Sequence, residues 1–168
     1  MAIQVMLDLE TMSQRSNASI ASIGAVKFDT TGILDEFYTT VDLKSCKDVG
    51  LRIDKETVQW WMEQSKEARD MLKIGNVSIQ EALDLFSDWF GRKSLQVWGN
   101  GATFDNVIME SAYIATEKTV PWKWWDNRCY RTVKSLIVVP EDQRQGVYHN
   151  ALDDAKHQAR HLIKILGS

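Results

Sequence analysis

Apolar and polar positions change period several times along the chain, and each change marks an element. Apolar residues dominate positions 3–10, and Ile20-Ala21-Ser22-Ile23-Gly24-Ala25-Val26-Lys27-Phe28 forms a second such block. Both read as buried strands. Asp29-Thr30-Thr31-Gly32 supplies turn chemistry, and Leu34 to Leu43 reads as a third strand, so the three form an antiparallel meander. The period then becomes helical. Asp54 caps a helix with Val58, Trp61 and Met62 on one face, while adjacent Trp60 and Trp61 diverge by about 100° and cannot share a core. Ser78-Ile79-Gln80-Glu81 is a capping box that opens a helix through Phe90, with Gly91 as its stop. Leu95 to Trp98 reads as a short strand entering the loop Gly99-Asn100-Gly101. A helix from near Ala102 follows, with Phe104, Val107, Ile108, Ser111 and Ala115 as its packing stripe. Residues 131–138 form a short helix, and Pro140 to Gly146 is polar enough to be a mobile loop. Asn150 caps a last helix running to Leu166 and Gly167, with Leu152, Ala155, Ala159, Leu162 and Leu166 facing the core. The class is α/β, and 1–168 reads as one domain without linker, repeat or low-complexity stretch.

Composition narrows the function classes. Hydrophobic residues make up 44% and charged residues 26%, ordinary for a globular protein. No apolar run reaches membrane-span length and no secretory leader pattern opens the chain, so a cytoplasmic protein without membrane contact is expected. Cys46 and Cys129 lack C-x-x-C spacing, which argues for free thiols rather than a zinc site or disulfide framework. The net charge of −3 is unlike that of a non-specific nucleic-acid binder. Any nucleic-acid function must use a local basic patch or bound metal.

Acidic residues at element ends carry the candidate chemistry. Asp8 and Glu10 stand at i and i+2 on the first strand, so both side chains leave the same face while Leu7 and Leu9 enter the core. Two like charges on one strand repel, and a divalent cation between them is the natural remedy. Asp105 sits in a first helical turn, where the helix dipole favours a carboxylate. His149 precedes the last helix, and Asp153 and Asp154 both lie at the flank of its core stripe, so helical geometry leaves the choice between them open. His157 and His161 have zinc-compatible i, i+4 spacing but project opposite that stripe, as solvated surface residues. Residues 118–131 interleave Trp122, Trp124 and Trp125 with Lys123, Arg128 and Arg131, which suits stacked bases and phosphates but equally an ordinary structural loop.

The motifs Asp8-Leu9-Glu10-Thr11, Asn100-Gly101-Ala102-Thr103-Phe104-Asp105 and His149-Asn150-Ala151-Leu152-Asp153-Asp154-Ala155 stand in the order of the DEDDh 3′–5′ exonucleases, which the whole chain resembles. Thr57-Val58-Gln59-Trp60-Trp61, with Gln64 and Ala68-Arg69, resembles the compact phage and bacterial branch, the exodeoxyribonuclease VIII-like and mycobacterial exoribonuclease-like proteins. The Arg128/Arg131 stretch also resembles that branch, although Cys129 stands where an acid is often found beside the first arginine. The resemblance implies a ribonuclease H-like fold, a five-stranded mixed β-sheet flanked by α-helices. It implies two divalent cations, Mg²⁺ or Mn²⁺, about 4 Å apart. Asp8 would bridge them, Glu10 and Asp154 would complete one site, and Asp105 would support the other. The family's four-residue gap after His149 selects Asp154 over Asp153. His149 would act as general base, with an ordinary pKa of about 6.5. Thr11, Met12, Trp61, Phe104, Arg128 and Arg131 are the implied substrate-binding residues, with Met12 packing on the terminal base, although which of Trp60 and Trp61 faces the substrate stays open. The implied reaction is hydrolysis from the 3′ end of single-stranded DNA or RNA, with DNA slightly favoured, releasing nucleoside 5′-monophosphates in a bacterial or phage-infected cell. A non-catalytic nucleic-acid-binding module on the same fold is the alternative, but it has no need of the full acid set with His149. A glycosidase is disfavoured, because its two carboxyls stand roughly 5 Å or more apart across a sugar. Oligomeric state, a homodimer included, is open.

Overall fold

The computed structural model describes residues 1–168. Strands β1 (Gln4–Thr11), β2 (Ile20–Asp29) and β3 (Gly32–Thr40) form the expected antiparallel meander. Two short parallel strands, β4 (Val97–Gly99) and β5 (Asn127–Cys129), extend the sheet on the other side of β1, giving the order β3-β2-β1-β4-β5. Helices α1 (Leu43–Asp48), α2 (Lys55–Met62), α3 (Lys66–Lys73), α4 (Ile79–Phe90), α5 (Asp105–Ala115), α6 (Tyr130–Leu136) and α7 (Ala151–Leu166) flank it. None is long and apolar enough to cross a membrane.

The alternation of β1 divides the molecule. Val5, Leu7 and Leu9 enter a core with Ile79, Leu83 and Phe86 of α4 and Ile108 and Met109 of α5. Met6, on the opposite face, joins Val26, Phe28 and the α7 residues Ala155, Ala159 and Leu162. Asp8 and Glu10 continue the Met6 face, which places them under the start of α7. Gly24, paired with Asp8 in the β1–β2 register, makes this approach possible: a Cβ there would collide with the backbone of Ala151 and Leu152.

Several local readings change. The third strand stops at Thr40, because Asp42 accepts the Lys44 N–H (3.1 Å) and caps α1 over Leu43. In α2 only Trp61 is buried, while Val58 and Met62 face solvent, because this short helix packs inward through one side chain, set against Met12, Ala21 and Ala68. The Asp54 side chain bonds Ser13 Oγ (2.6 Å) and Arg52 instead of capping the helix. Helix α5 begins at Asp105 and buries Asn106, Met109, Ala112 and Tyr113, whereas Phe104, Val107, Ser111 and Ala115 are only half-buried. Polar anchors set this rotation: Asn106 Nδ2 donates to Val97 O (3.0 Å) and Asn127 Oδ1 (2.8 Å). The capping box behaves as expected, with Ser78 Oγ accepting the Glu81 N–H (3.2 Å).

Helix α7 is covered over a wider arc than its apolar stripe implied, because α6 and the 137–147 segment pack against it. Ala151 and Ile165 are buried while Leu166 is exposed. His161 is buried too, contrary to its assignment to the solvent face. Its Nδ1 meets the Tyr130 hydroxyl (2.7 Å) and its Nε2 meets Val139 O (2.6 Å). The carbonyl can only accept, so Nε2 carries a proton. His157 pairs with Glu141 (2.8 Å). The Pro140–Gly146 segment is irregular, yet Glu141 also meets Lys134 (3.2 Å), Asp142 meets Lys164, and Arg144 meets Asp154.

Candidate active site

Asp8 and Glu10 of β1 and Asp154 of the first turn of α7 converge, with one carboxylate oxygen from each lying within 4.8 Å of the others. Asn150 caps α7 by accepting the Asp153 N–H (3.0 Å), and Asp153 itself turns away to accept the Val147 N–H (2.9 Å). Of the two adjacent acids, Asp154 is therefore the one in the cluster. Burial, reinforced by the charges of Asp105 and Asp154, pushes the Asp8 carboxyl well above the ordinary carboxylate range. Burial and the neighbouring acids do the same to Glu10. Burial raises Asp154 as well, opposed by its bond to Arg144. Glu10 Oε1 is buried without a hydrogen-bond partner. Hard oxygen donors, mutual repulsion and an orphaned carboxylate oxygen suit a divalent cation such as Mg²⁺ or Mn²⁺.

Asp105 stands beside this group without entering it. Its Oδ1 accepts the Leu9 N–H (3.1 Å) and its Oδ2 the Asn100 N–H (3.2 Å), tying β1 to the loop after β4. Burial pushes its pKa up to about 7 despite those two bonds. Arg131 donates to Asn100 O (2.7 Å) and lies close enough to favour the ionised Asp105.

His149 has a left-handed backbone (φ 60°), a region in which histidine is enriched. Its ring stands edge-on to Trp60 (centroids 5.0 Å apart) and Trp61 (6.0 Å). It borders a cleft of about 460 Å³ that also reaches Asp8, Asp154, Arg144 and Tyr148. A second cleft of about 680 Å³ is lined by Glu10, Thr11, Trp60, Trp61 and Phe104. The acids lie where the two clefts meet.

The substrate-binding candidates divide. Thr11 and Phe104 line the larger cleft. Trp61 is only 4% exposed and its Nε1 donates to Thr11 O (2.9 Å), whereas Trp60 is 42% exposed and offers its ring to the cleft. Met12 does not reach the cleft; it is buried against Ala21, Trp61 and Ala68 and supports Trp61 from beneath. Arg131 is beside the site, but Arg128 is on the edge strand, with Nη1 donating to Trp125 O (2.7 Å) and Asn127 O (2.9 Å).

Two contributors escaped the sequence reading. Gln158 donates from Nε2 to Asp8 Oδ1 (3.0 Å). It lies one helical turn after Asp154, so the i, i+4 spacing could have revealed it. Arg144 meets Asp154, donates to Val147 O (2.9 Å) and lies 4.6 Å over the Tyr148 ring. Nothing in its polar loop marked it out.

Residues 3–166 match the family model described as the Rv2179c-like 3′–5′ exoribonuclease domain. The chain belongs to that family. It is a 3′–5′ exonuclease that acts on nucleic acid, and it has the ribonuclease H-like fold. The chain is also similar to an exodeoxyribonuclease of Enterobacteria phage T4, with 27% identity over 164 residues, taking in 79% of this chain and 71% of that protein. Among solved structures it superposes on the nuclease domain of 3′hExo, a DEDDh member bound to rAMP (TM-score 0.65, 14% identity, 98% of this chain and 92% of that one). It also superposes on E. coli exonuclease I in complex with a dT13 oligonucleotide (TM-score 0.67, 12% identity, 98% of this chain, 41% of the larger enzyme). In this exonuclease, then, Asp8, Glu10 and Asp154 form the acidic centre, Asp105 braces it and His149 stands at its edge.

Proposed function

We propose that the exonuclease hydrolyses single-stranded nucleic acid from its 3′ end, DNA in preference to RNA, and releases nucleoside 5′-monophosphates. The observation that carries this reading is the three-carboxylate cluster with the unpartnered Glu10 oxygen at the junction of two clefts. The likeness to the phage exodeoxyribonuclease supports DNA, and the family's exoribonuclease description makes RNA the competitor.

Asp8, Glu10 and Asp154 would hold divalent cations, with Asp105 supporting them from its backbone-anchored position. When bound, such ions offset the negative charge that develops on phosphorus and on the leaving 3′ oxygen. The chain's own residues do the rest. Trp60 offers a stacking face for the terminal base, while Trp61, fixed to Thr11 O, sets the wall of the cleft. Gln158 holds the Asp8 carboxylate in one orientation. A ring nitrogen of His149, which borders the cleft with Asp8 and Asp154, takes the proton of the attacking water. Arg144, a cation already beside Asp154, screens the acids from one another.

Matched 5′-labelled DNA and RNA oligonucleotides, incubated with Mg²⁺ or Mn²⁺, test the proposal. Stepwise shortening from the 3′ end, faster on DNA, is expected. Faster RNA shortening would reverse the polymer preference, and 5′-labelled mononucleotide as the first product would overturn the direction.

A further inference from the structure

The far end of β4 and β5 carries a second concentration of chemistry that the acidic centre does not use. Two loops meet there, residues 91–95 before β4 and 121–126 before β5. Ser94 Oγ donates to Asp126 Oδ2 (2.5 Å) and accepts the Lys123 N–H (3.2 Å). Trp122 is buried and anchors the second loop in the core, which leaves Trp124 and Trp125 outside, 78% and 56% exposed. Their rings stand 5.4 Å apart, edge to face. Arg92, Lys93 and Lys123 are exposed around them, Arg128 is held against the Trp125 carbonyl, and none of the four enters an ion pair. The one acid of these two loops, Asp126, is the residue engaged by Ser94. In a chain of net charge −3, four unpaired cations around two exposed indoles form a local reversal of sign.

We propose that this patch is a second contact site for single-stranded nucleic acid, gripping the strand upstream of the 3′ end that occupies the active site. The inference rests on the nucleic-acid reading of that site. Exposed tryptophans flanked by cations match what a single strand presents, stackable bases on an anionic backbone. Parallel strands β4 and β5 run from the patch toward Asn100 and Arg131 beside Asp105, and their three residues span about 10 Å. The patch is therefore continuous with the site along the sheet edge but out of reach of a terminal nucleotide.

The test is anisotropy of a labelled single strand of about 16 nucleotides, in chelator so that no turnover occurs, alongside turnover of a dinucleotide and of the long strand in Mn²⁺. The Trp124→Ala/Trp125→Ala double variant should weaken long-strand binding at least about tenfold and raise the long-strand KM in parallel, while dinucleotide turnover stays unchanged. A second variant, Lys93→Ser/Lys123→Ser, should weaken binding and lower the slope of log affinity against log salt by about 1.4, the value for two phosphate contacts on a single strand. Unchanged long-strand affinity in both variants overturns the proposal. So does a shift of the wild type's sedimentation from dimer to monomer on tryptophan removal with affinity intact, which would assign the patch to a second copy of the chain. Wild type that binds the long strand through the tryptophans yet degrades neither substrate would retain the patch and sink the functional reading, so the two failures are distinguishable.

Discussion

The two faces of β1 do opposite things with the same backbone. Val5, Leu7 and Leu9 are buried among apolar side chains and contribute stability in proportion to the area they remove from water. Asp8 and Glu10, one residue out of phase, are nearly as buried but lie among other carboxyls, where burial and repulsion raise their pKa values. One face holds the fold together. The other keeps a set of charges that the fold alone would be better without. A strand can serve both purposes only because its period is two, and a register slip of one residue would exchange them.

The sharpest way to break this comparison is a substitution on each face. Asp8→Ala should leave less than a tenth of wild-type turnover while the metal-free protein melts no lower than wild type, because a repelling charge has gone. Leu7→Ala should cost about 2–5 kcal/mol in stability while the surviving folded fraction keeps its Mn²⁺ affinity. If the two variants show the same pattern by thermal melting and calorimetric Mn²⁺ titration, the faces are not separate in function.

Next in size is the contrast between His149 and Asp154. His149→Ala should lower kcat about 10²–10⁴-fold yet retain divalent-ion affinity, and Asp154→Ala should lose that affinity. Calorimetry beside kinetics decides it: an equal loss of Mn²⁺ binding in both variants would make His149 a ligand rather than a base.

Trp60 and Met12 sharpen the cleft. Trp60→Ala should raise KM about tenfold with little change in kcat, as expected when stacking is lost equally from ground and transition states. Met12→Ala should act mainly on melting temperature, since Met12 packs beneath Trp61 rather than on the substrate. A pure KM effect of Met12→Ala with unaltered melting would reverse that placement.

The smallest effect is in pH. Asp8, Glu10, Asp105 and Asp154 all hold protons more tightly in the folded chain than in the unfolded one. Their contribution to stability is complete below about pH 4, the ordinary carboxylate range. It is lost as pH rises through the folded values, about 7 for Asp105. Without divalent ions, the melting temperature should therefore fall from about pH 5 to about pH 8, and Asp8→Asn should flatten that fall. A flat wild-type profile in chelator would contradict the repulsion.

The sequence by itself determined a good deal. Alternation placed Asp8 and Glu10 on one face opposite Leu7 and Leu9, the Ser78 and Asn150 caps fixed where two helices start, and the meander set the order of β3, β2 and β1. These features are local, written within one turn or one strand, so spacing reveals them. Only the tertiary structure decided the rest. It buried Trp61 as the wall of the cleft and left Trp60 exposed in it, withdrew Met12 from the substrate, buried His161 under α6 and the 137–147 segment, and brought Arg144 to Asp154. It also gave Gly24 its meaning, since that glycine looks like any strand residue until the backbone of α7 is laid against it. In each case the deciding contact crosses from one element or loop to another, and helical or strand periodicity says which face a residue occupies but not what will cover that face.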